Sequence, residues 1–210
     1  MLQNRVDPFG AIIKTSARGS WMGNRGVIHL PDQEIARPFK LKTWITCVLE
    51  FKGRKRKPMS PNLYTELFFL DEATAFAAGH RPCFECRRAD ADRFKRLWLK
   101  ANPVYHFDER TPIREIDNIL HKERIRPDGT KTTYTEGAAQ LPNGTFIVYE
   151  QLPYLLHGGL FYQWTPFGYE KERPLPRVDK ITVLTPKSIV NTFRAGYIPQ
   201  MAIGTPRRLP

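Results

Sequence analysis

The sequence contains only three cysteines in 210 residues, Cys47, Cys83 and Cys86, and no long apolar run. Three unevenly spaced cysteines exclude the disulfide framework of a small secreted domain. No segment approaches the roughly 18 apolar residues that a membrane-spanning helix needs. The first residues also lack the apolar stretch of a secretory signal peptide. We therefore expect a cytoplasmic protein without a transmembrane segment.

Several catalytic motifs and a balancing number of acidic residues are also missing. The sequence has no G-x-S-x-G, Walker or G-x-G-x-x-G motif, so serine hydrolases, P-loop NTPases and Rossmann enzymes have no support. It carries 21 Asp and Glu against 33 Lys and Arg, a formal charge of +12. A surface of this charge attracts polyanions, chiefly nucleic acid and secondarily anionic membranes. The oligomeric state is not indicated.

Periodicity and capping signals predict an α+β fold with a mixed or antiparallel sheet and three to four helices. Residues 1–25 are predicted to be a loop or extended arm, and strands are predicted at 26–30, 42–51, 64–70, 145–150 and 181–184. Helices are predicted from Asp71 to Gly79, from near Cys83 to about Lys100, after Thr111–Pro112, and from Thr185–Pro186 to Gly196. A Gly-Gly hairpin is expected at 153–164. We expect one domain over 1–210, or a metal-bearing half (1–125) and a β-rich half (126–210).

The pair Cys83 and Cys86 is the clearest chemical signal. At i and i+3 of a predicted helix start, both sulfurs point the same way, and the helix N-terminus stabilises thiolates. Thiolates bind zinc, so the sequence predicts a zinc-stabilised turn here. A tetrahedral site needs two more ligands, for which Cys47 and His29 are the candidates, with His80 as a substitute. A metal-free turn, a redox disulfide and a core role for Cys47 stay open.

The run DEATAFAAGHRPCFECRR, residues 71–88, is similar to the second half of Ada-type zinc-binding modules. These modules occur in methylphosphotriester DNA repair proteins and on some nucleases. The resemblance implies that Cys83 and Cys86 are zinc ligands in a protein of DNA repair or processing, with DNA favoured over RNA. It covers 18 residues, and the first ligand pair of those modules has no counterpart upstream as a C-x-x-x-C motif. The segments YTELFFLDEA, GHRPC and VLTP also resemble a bacterial protein family, which implies no particular activity.

Basic residues flank the cysteine pair on both sides. A loop at 52–58 and the helix after Cys86 are predicted to bind the phosphate backbone without reading sequence. The predicted contact residues are Lys52, Arg54, Lys55, Arg56, Lys57, Arg87, Arg88, Arg93 and Arg96.

Three functions remain open from the sequence. The first is a zinc-bearing nucleic-acid-binding protein. The second is an enzyme on nucleic acid: either a nuclease with metal-binding carboxylates (Glu66, Asp71, Glu72, Glu85 and Asp90), or a permuted zinc deaminase using His121-Lys122-Glu123 with Pro82-Cys83-x-x-Cys86. Its catalytic candidates are Glu66, His80 and Glu123. The third is a metal-free interaction domain.

Overall fold

A computed structural model describes residues 1–54, 57–174 and 178–204, apart from the side chain of Lys171. Within these ranges the chain forms four α-helices and two six-stranded sheets, one mixed and one antiparallel. This confirms the α+β prediction. None of the described helices combines the length and the apolar character required to cross a bilayer.

The first sheet comes from the N-terminal part of the chain. Its strands are β1 (Gln3–Val6), β2 (Ile12–Lys14), β3 (Trp21–Asn24), β4 (Ile45–Cys47), β5 (Leu67–Phe69) and β6 (Arg81–Pro82), in the order β2-β1-β5-β3-β4-β6. The pairs β1–β5 and β4–β6 are parallel. The prediction of a loop over 1–25 is therefore wrong, because this segment supplies three strands. The predicted strand at 26–30 is also wrong, since it makes only an isolated bridge between His29 and Ile35.

The second sheet is antiparallel and follows the helical region. Its strands are β7 (Tyr134–Glu136), β8 (Phe146–Tyr149), β9 (Leu152–His157), β10 (Leu160–Thr165), β11 (Gly168–Pro174) and β12 (Ile181–Val183), in the order β11-β10-β9-β8-β12-β7. The predicted hairpin joins β9 and β10. Gly158 and Gly159 have φ of 59° and 77°, the left-handed conformation that favours glycine in two-residue turns.

The four helices are α1 (Glu72–Ala77), α2 (Arg88–Ala101), α3 (Ile113–Arg124) and α4 (Lys187–Arg194). Helix α1 begins as predicted, since the Asp71 carboxylate accepts from the Thr74 amide at 2.8 Å. Its alanines allow close packing on both sides. Ala75 and Ala78 pack on the first sheet's core, and Ala73 and Ala77 pack on the second sheet's core.

Gly79 ends this first helical segment with a φ of 84°. Its amide donates to the Phe76 carbonyl at 2.8 Å, and the chain then reverses into β6. A Cβ at Gly79 would lie 2.6 Å from the Cβ of Arg124, so the close approach also requires glycine. The turn therefore delivers the next residues, including Cys83, to the edge of the first sheet beside β4.

Candidate metal centre

The three cysteines meet at the edge of the first sheet. Strands β4 and β6 pair in parallel with Ile45 opposite Arg81 and Thr46 opposite Pro82. The Cys83 amide extends this pairing by donating to the Thr46 carbonyl at 2.9 Å. The following residue on β4, Cys47, therefore lies next to Cys83. The sulfurs of Cys47, Cys83 and Cys86 all lie within 4.8 Å of one another.

Cys83 and Cys86 lie in a turn, and α2 begins only at Arg88. The predicted helix start at Cys83 is therefore wrong. The backbone amides of Glu85 and Cys86 donate to the Cys83 sulfur, and the distance from the Glu85 nitrogen is 3.3 Å. These amides therefore belong to the turn and not to the first turn of α2. The Val48 amide is likewise hydrogen-bonded to the Cys86 sulfur. Hydrogen bonds from N–H groups favour thiolates, which are the metal-binding form of cysteine.

Hydrogen bonds and burial shift the pKa values of the three thiols. The Cys47 thiol donates to Cys83, and this contact lowers the pKa of Cys83 to about 5 and raises the pKa of Cys47. Burial raises the pKa of Cys86. In a tetrahedral site with Zn–S distances near 2.3 Å, sulfurs lie about 3.8 Å apart. The cluster needs little movement to reach that spacing, so the three cysteines can hold a metal ion.

A cavity of about 540 Å³ adjoins the three cysteines. No other His, Cys, Asp or Glu of the described residues joins the sulfur cluster, and the remaining segments contain none of these four residue types. A metal ion held here would have three protein ligands. Three protein ligands and one exchangeable position are typical of catalytic zinc, whereas structural zinc has four protein ligands.

The walls of this cavity combine aromatic and charged side chains. Phe51, Tyr64 and Phe68 line it together with Arg54, Glu66 and Glu85. The sequence did not identify Phe51 or Phe68 as site residues. In an extended strand over 42–51, alternation would put Phe51 on the same face as Cys47, which was the available signal.

Neither predicted histidine joins the sulfurs. His29 is buried, with Nδ1 2.6 Å from the Thr65 hydroxyl and Nε2 3.2 Å from the Ser60 carbonyl. His80 is fully buried between aromatic rings, 5.1 Å from Trp44 and 4.7 Å from Phe69 between centroids. Its Nε2 accepts from Arg25 at 3.3 Å, and burial keeps its pKa well below the usual value. These contacts do not support either histidine as a ligand in this cluster.

Of the acidic candidates, only Glu66 and Glu85 line the cavity. Glu66 is 3% exposed and accepts from the Met59 amide at 2.8 Å. Glu123 instead accepts from the amide and hydroxyl of Ser188, at 3.0 and 2.6 Å, and so stabilises the first turn of α4. The two halves of the predicted deaminase motif are therefore not brought together.

Two further carboxylates of the nuclease hypothesis have structural roles. Asp71 caps α1 and accepts from the Tyr169 hydroxyl and the Ala202 amide. Glu72 forms an ion pair with Arg87 and accepts from the Tyr197 hydroxyl at 2.9 Å. A magnesium site built on these carboxylates is therefore not supported.

Most of the predicted phosphate-binding residues are exposed. Arg54 contacts Glu85 at 2.7 Å, and Arg88 lies over the Phe84 ring at 5.7 Å, so both flank the cysteine turn. We call the exposed cations near the turn and along α2 the basic surface; its members are Lys52, Arg54, Lys57, Arg88, Arg93 and Arg96. Lys55 and Arg56 lie outside the described residues.

Arg87 is the exception among the described cations of this set. Its side chain is 3% exposed and donates to Glu72, Asp90 and the Thr46 hydroxyl. Its guanidinium also lies 4.0 Å from the centre of the Trp21 ring. This burial contradicts the predicted role of Arg87 in phosphate binding, because a buried and paired guanidinium cannot reach a phosphate outside the protein.

Searches against family models, curated proteins and solved structures find no match to this chain.

Proposed function

We propose that this chain is a zinc protein that binds nucleic acid. Cys47, Cys83 and Cys86 hold the ion, and the basic surface contacts the phosphate backbone. The observation that carries the proposal is the convergence of the three sulfurs within 4.8 Å, from a strand and a turn that the parallel β4–β6 pairing brings together.

The choice of zinc follows from the donor set. Three thiolates suit soft or borderline metals, and zinc is a common partner of clustered cysteines. The backbone amides directed at the sulfurs supply the outer contacts that fix such ligands. The similarity of residues 71–88 to Ada-type zinc modules supports the same choice. A cytoplasmic location is part of this proposal.

The choice of nucleic acid follows from the charge next to the metal centre. Arg54 and Arg88 contact the turn that carries two of the cysteines, and the exposed side of α2 continues the cationic surface. Lysine and arginine on such a surface bind phosphates without reading bases. We therefore propose backbone-directed binding, with DNA preferred because of the resemblance.

An enzyme acting on nucleic acid is the second candidate, and the cavity of about 540 Å³ favours it. Zinc with three protein ligands can supply an activated water. Glu66, buried in the cavity wall, is the residue that would take up a proton there. Loss of turnover in Glu66→Gln, with zinc content and binding of nucleic acid unchanged, would establish this candidate over a purely structural zinc.

Metal analysis of the purified protein tests the zinc centre. We expect about one zinc per chain in the wild type and a large loss in Cys47→Ser, Cys83→Ser and Cys86→Ser. Circular dichroism would verify that each variant folds. If a variant does not fold, wild-type protein that is stripped with a chelator and then reloaded shows directly whether the folded chain takes up zinc. Zinc that stays near one per chain in Cys83→Ser would refute the assignment.

Titration of a fluorescent DNA duplex at several salt concentrations tests the basic surface. Each lost phosphate contact should reduce the slope of log K against log salt by about 0.9, so Lys52→Gln/Arg88→Gln should reduce it by roughly 2. Arg114→Gln is the matched control, because Arg114 is an exposed cation outside the basic surface. Binding that does not weaken with salt, or equal slopes in all variants, would contradict phosphate contact.

A further inference from the structure

A second cavity, of about 580 Å³, lies beside Trp44, the residue that precedes β4. Trp44 lines this cavity, whereas Ile45 and Cys47 line the metal-centre cavity. Of the described residues, four cations line it, Arg25, Arg37, Arg124 and Lys131, and no acidic residue does. This distribution is unusual for a partly enclosed space, because cations in it repel one another and lose hydration.

Arg25 is the deepest of these cations, at 1% exposure. Its Nη1 donates to the Gly10 carbonyl at 3.0 Å, and its Nε donates to the ring of His80 at 3.3 Å. Among the described residues, its buried Nη2 has no hydrogen-bond partner. The guanidinium is thus held by its other nitrogens, while the two N–H groups of Nη2 are not used by this part of the chain.

Arg124 repeats this arrangement from α3, at 2% exposure. It donates to the carbonyls of Gly79 at 2.8 Å and Lys42 at 2.5 Å, and its buried Nε has no partner within the described ranges. Both guanidinium groups lie 3.9 Å from the Trp44 ring centre. Stacking on one indole fixes the two arginines relative to each other, as preorganised anion sites require.

The charges around the cavity are poorly compensated. His80, the buried neighbour of Arg25, is held neutral, since burial lowers its pKa. Burial lowers the pKa of Lys131 to about 7, and the positive charges of Arg25 and Arg124 add to this effect. Asp7 is an opposing charge on Arg25 and Lys131, and Asp117, which pairs with Arg81, is an opposing charge on Arg124. Because none of the described residues that line the cavity is acidic, its wall favours an anionic ligand.

We propose that this cavity binds a phosphate monoester carried on a small organic group. The phosphate contacts Arg25, Arg124 and Lys131, with Arg37 at the exposed rim. The organic group packs on the apolar side of the cavity, where Phe9, Ile12 and Ile35 lie. Guanidinium groups match phosphate oxygens geometrically, and a phosphate monoester offers more acceptor oxygens to these cations than a single carboxylate does.

This site does not depend on the metal centre. Two kinds of ligand carry a phosphate monoester. One is a free nucleotide or similar small phosphate, and the other is the terminal phosphate of a nucleic acid strand. A 5′-phosphorylated oligonucleotide compared with its 5′-hydroxyl form separates them.

Isothermal titration of the full chain with AMP tests the proposal, with adenosine and malonate as comparison ligands at constant ionic strength. We expect AMP to bind at least tenfold more tightly than either, because each charge-assisted contact contributes about tenfold or more. Arg37→Gln and Lys131→Met should each weaken AMP binding by about tenfold, while Arg114→Gln should leave it unchanged. Arg37 is exposed, so its variant retains the fold-determining contacts.

Three results would overturn the proposal: no binding of AMP, equal binding of AMP and adenosine, or AMP affinity unchanged in both Arg37→Gln and Lys131→Met. Equal affinity for malonate would refute the choice of phosphate. If the 5′-phosphorylated oligonucleotide outcompetes AMP, and Lys131→Met abolishes this advantage, the source is a strand end. If AMP binds but the two oligonucleotides do not differ, the source is a free small phosphate.

Discussion

The substitution Arg87→Gln tests whether Arg87 stabilises the fold rather than contacts nucleic acid. Removing its guanidinium leaves the buried carboxylate of Glu72 without its ion-pair partner and also removes the contacts with Thr46 and Trp21. Breaking a buried ion pair from one side costs about 3–5 kcal/mol, because the other charge stays buried. For a chain of this size, this loss corresponds to a fall in Tm of roughly 6–20 °C. Urea unfolding monitored by circular dichroism measures it.

The adjacent residue provides the matched control. Arg88 has a side chain that is 70% exposed and approaches Asp92 only at 3.6 Å, so Arg88→Gln should change the free energy of unfolding by less than about 1 kcal/mol. Arg88→Gln should instead weaken DNA binding. In Arg87→Gln/Glu72→Gln, both charges are gone, and part of the stability should return. Equal losses of stability in Arg87→Gln and Arg88→Gln would refute the structural role of Arg87.

Three further predictions concern Gly79, Glu123 and Lys131. Gly79→Ala should destabilise the protein by more than about 1 kcal/mol, since φ is 84° and Arg124 blocks the new Cβ; an unchanged Tm would contradict this. Glu123→Gln should cost about 1 kcal/mol in urea unfolding by weakening the contacts with Ser188, and a loss of zinc instead would indicate a role at the metal. The folded-state pKa of Lys131, about 7, is below its ordinary value of 10.5, so protonating Lys131 destabilises the fold. In phosphate-free buffer, wild-type stability should therefore rise between pH 7 and 10 relative to Lys131→Met, by at most about 1.4 kcal/mol per pH unit; parallel profiles would refute this.

Local signals in the sequence were sufficient for several elements. Asp71 and Gly79 mark the two ends of the first helical segment because a side-chain cap and a left-handed glycine act within a few residues. Thr111–Pro112 and Thr185–Pro186 similarly precede α3 and α4. Such signals are local, and long-range packing did not override them.

The N-terminal strands could not be predicted in the same way. Strands β1 to β3 are three or four residues long, which is too short to establish an alternating pattern. Their order depends on pairing with β5, more than 40 residues away along the chain. Gly23 permits close contact of β3 with Ile45 and Phe69, a requirement visible only in three dimensions.

The metal centre was predicted in part. The sequence identified Cys83 and Cys86 from their spacing and Cys47 as a candidate third ligand, and the structure brings these three together. It also offered His29, because sequence distance cannot show that Thr65 and Ser60 already contact both ring nitrogens. The register between β4 and β6 decides which residues meet, and strand register is a long-range property.

X-ray absorption spectroscopy at the zinc edge, on the purified full chain, tests the proposed centre most directly. We predict three sulfur ligands at about 2.3 Å and one nitrogen or oxygen ligand, with the sulfur count reduced to two in Cys47→Ser. A zinc ion without sulfur ligands would contradict the proposed centre, as would a sulfur count that Cys47→Ser leaves unchanged.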